Sequence, residues 1–307
     1  MQVWKSLGII FNLKDAKLSW AKSHSMLPTV YKIKKNKIRV FFGSRNIKNI
    51  SSIGYVDLEY NNEKFKILKY SRKPVLKPGL LGCFDDNGVL PSSIIKKKPY
   101  YYLFYIGWRP SVTTRYSLIS GLSKSKSLNK FKRISKSSLL KTNNKEPYEI
   151  LTAPCVLKYK NFYFMWYVSC NKWANKDFPI YDIKYAKSKD LENWHQTGIT
   201  CIKLKKNERA VARPYVVYEK KIFKMWYSYE EKTKGYKIGY AESNDGINWI
   251  RKDKMIKFVN KFSEENKMQE YPNVVNFNGD KLMFYNGNYY GKNGIFCAKL
   301  KVKVKKK

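Results

Sequence analysis

Short runs in which apolar residues alternate with polar ones follow a proline five times along this chain: LPTVYKI (27–33), LPSSII (90–95), APCVLKY (153–159), RPYVVYE (213–219) and YPNVVNF (271–277). Such alternation is the two-residue period of a half-buried strand. The prolines, Pro28, Pro91, Pro154, Pro214 and Pro272, fall about 60 residues apart, and a steady period over a whole chain marks a repeat architecture. About a dozen residues past each proline lies the middle of a strongly aromatic strand: KIRVFFGSR (37–45), YYYLFYIGW (100–108), FYFMWYVSC (162–170), IFKMWYSYE (222–230) and KLMFYNGNY (281–289). Turns such as KKNK and NFNGDK separate the two strands, which is hairpin chemistry. A third strand follows in every repeat (ISSIGYVDLE, YSLISGLSKS, YDIKYAKSKD, YKIGYAESND, GIFCAKL), and four of the five add a fourth (FKILKYS, KFKRIS, NWHQTG, NWIRKD). The predicted unit is a four-stranded antiparallel meander.

The last repeat stops near Lys301 without a fourth strand, while a spare strand, Val3 to Asn12, precedes the first repeat. Ring closure uses both. It predicts an all-β chain, a single five-bladed β-propeller over residues 1–301, whose N-terminal strand completes the last blade and leaves no sheet edge open. Residues 302–307 form a basic C-terminal tail. An ordinary β-sandwich would require neither equal repeats nor a missing strand matched by a spare. Trp166, Trp194, Trp226 and Trp249 recur at equivalent positions, so they are expected to pack between blades rather than against a ligand. SKDLENW (188–194) and SNDGINW (243–249) read as rim turns in which the Asp side chain satisfies local backbone donors.

Charge changes the picture less than its size suggests. Lys and Arg number 62 against 23 Asp and Glu, a formal net charge of +39. Such a charge attracts polyanions. The basic residues are mostly lysine and are spread along the chain, however, rather than clustered on one element with interleaved aromatics. The expectation is a solvated lysine-rich surface and no specific nucleic-acid partner, with the lysines from 299 to 307 as an exception. Five cysteines form no CxxC pair and no Cys/His set, which predicts reduced thiols and no metal site. The apolar run Leu7 to Phe11 is too short for a signal-peptide core, and no stretch approaches the ~20 apolar residues of a membrane span. A cytoplasmic protein without a membrane span is expected.

The blade pattern P-x-V…MWY-S…hxYA-x-S-x-D-x-x-x-W resembles that of the five-bladed propeller glycosidases, the superfamily of arabinanases, invertases and levansucrases, with the mannoside phosphorylases as relatives. The runs FDDNGVLPSSI (84–94), SHSMLP (23–28), RVFFGSR (39–45), ARPYV (212–216) and FYNGN (284–288) resemble more closely an uncharacterised branch linked with bacterial surface-polysaccharide genes. The resemblance covers nearly the entire chain. It implies a carbohydrate-active protein without a cofactor, whose ligand is a saccharide or sugar nucleotide held in a central channel.

In such a propeller the first strand of each blade lines the channel. Residues just before each repeat proline are then expected at the pocket: His24, Asp85, Asp86, Glu149, Thr152, Arg209, Arg213 and Glu270. So are those ending the second strands: Arg45, Trp108, Trp173, Glu230, Asn286 and Asn288. Glycoside cleavage needs two carboxyl groups, one to protonate the leaving oxygen and one to attack or to activate water. The superfamily's acids, one on the first strand of each of three successive blades, imply Asp86 as principal acid/base, with Glu270 or Glu230 as second carboxylate. The pattern breaks at the third position, where Arg209 stands in place of an acid. His24, Arg45, Arg209 and Arg213 suit an anionic part of substrate or co-substrate. Asp85, Trp108, Trp173, Asn286 and Asn288 complete the expected binding set. Hydrolysis, phosphorolysis, transfer and saccharide binding without chemistry all remain compatible, and each arginine could instead form a buried ion pair with Asp85, Glu149 or Glu270.

Overall fold

The computed structural model describes residues 1–231, 234–259 and 262–301, so the basic tail 302–307 lies outside the described residues. Strand β1 (Gln2–Phe11) opens the chain. Next come β2 (Ser23–Lys34), β3 (Lys37–Arg45), β4 (Ser51–Asn61) and β5 (Lys64–Tyr70), an antiparallel sheet in chain order. The second meander is β6 (Val89–Lys97), β7 (Tyr100–Pro110), β8 (Tyr116–Ser125) and the two-residue β9 (Lys132–Arg133). The third is β10 (Ile150–Tyr159), β11 (Phe162–Asn175), β12 (Phe178–Ser188) and β13 (His195–Ile202). The next runs through β14 (Glu208–Glu219), β15 (Ile222–Glu231), β16 (Lys237–Ser243) and β17 (Ile250–Arg251). After β18 (Ile256–Val259) the last consists of β19 (Glu270–Phe277), β20 (Asp280–Asn286) and β21 (Ile295–Leu300).

β1 pairs antiparallel with β21, so the first strand of the chain supplies the fourth strand of the last sheet. β18 then pairs parallel with β1 as an outer fifth strand, an element too short to register as a period in sequence. The second strand of the last meander is shorter than its alternation predicts. It ends at Asn286 rather than running to 289, because Tyr289, Tyr290 and Gly291 all take positive φ and turn the chain back.

Each inner strand carries a register shift at its repeat proline: Met26/Thr29, Pro91/Ser93, Thr152/Cys155, Ala212/Tyr215 and Glu270/Asn273. Proline has no N–H to give a ladder and is tolerated at bulges, which accounts for the recurrence. The hairpins use tight turns whose two central residues both have positive φ, at Asn62–Glu63, Lys220–Lys221 and Asn278–Gly279.

Apolar layers fill the space between neighbouring sheets. Phe41 and Tyr55 meet Leu103 and Tyr105. Phe104 and Leu122 meet Met165 and Tyr167. Trp166 and Ile183 meet Phe223 and Met225, and Trp226 and Tyr240 meet Met283 and Tyr285. Val275 and Phe284 of the last sheet meet Val30 and Val56 of the first. Each such fully buried side chain stabilises the fold by about 1.5–3 kcal/mol. Trp166 is completely buried and donates from Nε1 to the Gly246 carbonyl at 2.7 Å, tying one meander to the rim turn of the next. The inner strands touch in sequence, β2 to β6, β6 to β10, β10 to β14, β14 to β19, and β19 back to β2. No helix among the described residues is long and apolar enough to cross a membrane.

Candidate active site at the mouth of the inner strands

The inner strands converge on Arg213. Its guanidinium is 1% exposed and donates from Nη1 to Ser92 Oγ on β6 at 3.1 Å and from Nη2 to Thr29 Oγ1 on β2 at 2.9 Å. Nε is enclosed without a partner, and no carboxylate pairs with this cation among the described residues. Burial therefore pulls its pKa down to about 10. Arg213 also takes a positive φ, +49°, and so do three of the four other residues before a repeat proline, Leu27 (+53°), Ala153 (+51°) and Tyr271 (+60°). Left-handed backbone at non-glycine residues is strained, and such strain concentrates where a fold holds a functional constellation.

At one end of these strands lie two carboxyl groups. Glu270 opens β19, and Glu230 lies near the end of β15 opposite Ala210 of β14. Glu270 is 0% exposed, and neither oxygen has a well-aligned hydrogen-bond partner among the described residues. Burial drives its pKa well above the carboxylate range, against a pull from the Tyr271 side chain and with a further push from the charge of Glu230. Glu230 is also raised by burial, although Arg209 Nη2 stands 2.5 Å from its Oε2 and favours the ionised form.

Tyrosines enclose this pair. The hydroxyls of Tyr181 and Tyr236 are 2.6 Å apart, and both feel the charge of Glu230. Tyr116 lies within the field of Arg209 and Glu230 and packs edge-on against Trp173 at 5.9 Å. Tyr271 and Tyr290 flank Glu270. A carboxyl whose proton is held more tightly by burial, together with a second one ion-paired to arginine, is a set that can provide one proton donor and one base or nucleophile. The aromatic rings offer faces on which the C–H side of a sugar could rest. No group of three His, Cys, Asp or Glu that could hold a metal ion occurs among the described residues.

A second group is cationic. Arg45 ends β3 opposite Ser23, next to His24. Burial, then the charges of Arg45 and Lys292, lower the His24 pKa to about 4, so the ring is neutral at pH 7. Arg45 makes no ion pair among the described residues. Burial lowers its pKa, while Tyr271 raises it.

Glu230, Glu270, Arg209, Trp173, His24 and Arg45 thus lie at one end of the inner strands, and the other expected residues have the following surroundings. Asp85 is 0% exposed and accepts from Arg133 Nε at 2.7 Å and from the Tyr105 hydroxyl at 3.0 Å, an ion pair that ties the connection before β6 to β9. Asp86 accepts from the Gly82 amide at 2.9 Å in the loop before β6. Glu149 is exposed and 3.5 Å from Arg109. Thr152 is buried in β10. Trp108 is half-buried near the end of β7, opposite Leu118. Asn286 accepts from the Leu27 amide and donates to the Ser25 and Gly294 carbonyls. Asn288 similarly holds the amides of Lys267 and Met268 and the Ser263 carbonyl.

Sequence reasoning missed the tyrosines, yet a signal was there. Tyr116, Tyr181 and Tyr236 open the third-strand runs of three successive repeats, YSLISGLSKS, YDIKYAKSKD and YKIGYAESND.

No family model matches the chain. Among solved structures it is similar to a glycoside hydrolase (TM-score 0.73, 16% identity, covering 97% of this chain and 91% of that one). A thermostable family-43 glycoside hydrolase superposes with TM-score 0.65 at 15% identity, covering 93% and 91%. A structure from a study of mannoside phosphorylases and of hydrolases that target β-1,2 mannosidic linkages in Candida mannan gives 0.63 at 15% identity, covering 92% and 86%. These likenesses show the fold, that of the propeller-type glycosidases. In sequence the chain is 33% identical over 303 residues to the uncharacterized protein Rv1502 of Mycobacterium tuberculosis, covering 97% of this chain and 99% of that protein, and it belongs to the same family.

Proposed function

We propose that the ring of meanders is a five-bladed propeller closed by β1, and that its channel mouth processes a glycosidic bond in bacterial surface-glycan metabolism. The observation that carries this reading is the presence of two carboxyls, Glu230 and Glu270, both raised in pKa by burial and enclosed by tyrosines at the openings of the inner strands. Glu270 keeps its proton and is the acid. Glu230, fixed by Arg209, is the base or nucleophile. Because Glu270 is fully enclosed, a substrate reaches it by displacing Tyr290, which is 41% exposed on the turn after β20. Asp86 is a third acid to test, at the entry of β6.

The test is sugar release from β-mannosides, arabinans and fructans by the wild type and by Glu270→Gln and Glu230→Gln. Each substitution is expected to lower turnover by about 100-fold or more. Full activity in both variants removes the assignment, and saccharide binding with no product in the wild type makes the protein a binder.

A second reading is favoured by Arg45 and Lys292, both close enough to His24 to depress its pKa. Such a cationic group suits an anionic co-substrate, and sugar release would then depend on inorganic phosphate.

A further inference from the structure

Beside the channel mouth, on the first meander, lies a groove of about 710 Å³ between the β3–β4 connection and the segment after β5. Its lining includes Trp20, Lys48, Arg72, Lys73 and Lys77, and no carboxylate. The four cations are exposed, and none is in an ion pair among the described residues. Trp20 is held in place, its ring stacked on Phe42 with centroids 6.1 Å apart and its Nε1 donating to the Ser71 carbonyl. Gly54 leaves room for that ring, because a Cβ there would come within 2.4 Å of it. The groove lining includes Asn46, the residue after Arg45.

From this geometry we infer that the groove is a subsite for an acidic glycan, a chain bearing carboxylate or phosphate groups, whose reacting end lies at the channel mouth. The inference deepens the proposed function and rests on it for the position of the reacting end. Unpaired lysines and an arginine supply the charge complementarity. The indole supplies an apolar face for a sugar ring. A single aromatic ring, rather than a series on which successive bases could stack, argues against single-stranded nucleic acid as the occupant.

The experiment compares binding of an oligogalacturonide, a neutral dextran oligosaccharide and a single-stranded DNA oligomer at near-physiological salt. The proteins are wild type, the groove variant Lys48→Gln/Arg72→Gln/Lys73→Gln, and a control, Lys32→Gln/Lys34→Gln/Lys35→Gln, with equal charge loss at the far end of β2. All six side chains are exposed, so both variants should melt with the wild type. The groove variant is expected to bind the oligogalacturonide about tenfold more weakly, and the control within about twofold of wild type. Equal weakening in both variants would mean diffuse attraction and overturn the subsite. So would absent binding, or tighter binding of the DNA oligomer through the same three residues. The readout needs no turnover. If Glu270→Gln and Glu230→Gln keep full activity while the groove variant loses oligogalacturonide, the carboxyl assignment falls and the groove stands. If those two variants are inactive but the groove variant binds like wild type, the groove falls alone.

Discussion

Replacing Glu270 with glutamine should lessen the loss of stability as the pH rises from mildly acidic to neutral, because this carboxyl is buried. Glu270 is 0% exposed and its pKa is raised well above the ordinary value. In the unfolded chain the same group titrates near 4.3. The unfolded state therefore loses this proton first. Stability from the group is fully present below the unfolded value and falls as pH rises toward the folded one, by about 1.4 kcal/mol per pH unit. Glutamine has no proton to lose. Urea unfolding of wild type and Glu270→Gln at about pH 5, 6 and 7 should show the variant gaining on the wild type by up to about 3 kcal/mol across that range. A buried amide adds a constant offset of about 1–3 kcal/mol, since its own hydrogen bonds must be met, so the slope decides and not the intercept. Parallel stability curves would mean that Glu270 is ionised in the folded protein, and would remove it as a proton donor. Glu230→Gln should show a slope of the same sign, because burial raises the pKa of Glu230 as well, but with a lower intercept, since it strips the half-buried Arg209 of its partner.

Substitutions at three further positions have outcomes set by the packing. Arg213→Met should shift unfolding by no more than about 1.5 kcal/mol: the burial cost of the guanidinium disappears with its hydrogen bonds, and Thr29 and Ser92 still donate to the Leu27 and Pro154 carbonyls. Arg213→Ala should cost about 3 kcal/mol through the cavity it leaves, measured by the same urea titration. Asp245→Ala should cost about 1 kcal/mol at neutral pH. Burial disfavours the Asp245 charge, but hydrogen bonds from Asn248, Ile247 and Ser243 outweigh it and bring the pKa to about 2, so calorimetry should find the difference fading as the pH falls from about 4 toward 2. Trp166→Ala should cost about 3–5 kcal/mol, visible as a lower urea midpoint.

The repeat was legible because its marker has a physical cause. Proline recurs where each inner strand bulges, and Asn278–Gly279 is a turn that alternation and composition both announce. The site was less legible for the same reason. A bulge shifts the side-chain alternation, so counting back from each proline does not return equivalent directions. Glu230 and Asn286 occupy matching hairpin positions, opposite Ala210 and Glu270, yet one is a carboxyl at the site and the other an amide bound to backbone. Asp85 could not be told from a ligand-facing acid without Arg133, which lies 48 residues away in sequence. The opening tyrosines of the third strands were visible, but their convergence on Glu230 depends on how neighbouring sheets face one another.

The pairing of β1 with β21 also bears on how the chain acquires its structure. β1 is synthesised long before its partner Ile295–Leu300, which is among the last described residues to be made. At ribosomal rates of about 5–20 residues per second, Gln2–Phe11 waits many seconds with its hydrogen-bonding edge unmatched. Intermediate sheets can form as they emerge, since each meander pairs locally. The final joint cannot, and it must close a loop from Gln2–Phe11 to Ile295–Leu300, an entropic step that comes late and slowly. During that interval β1 is available to the β21 of another copy, so strand exchange between molecules is the misassembly to which this topology is most exposed.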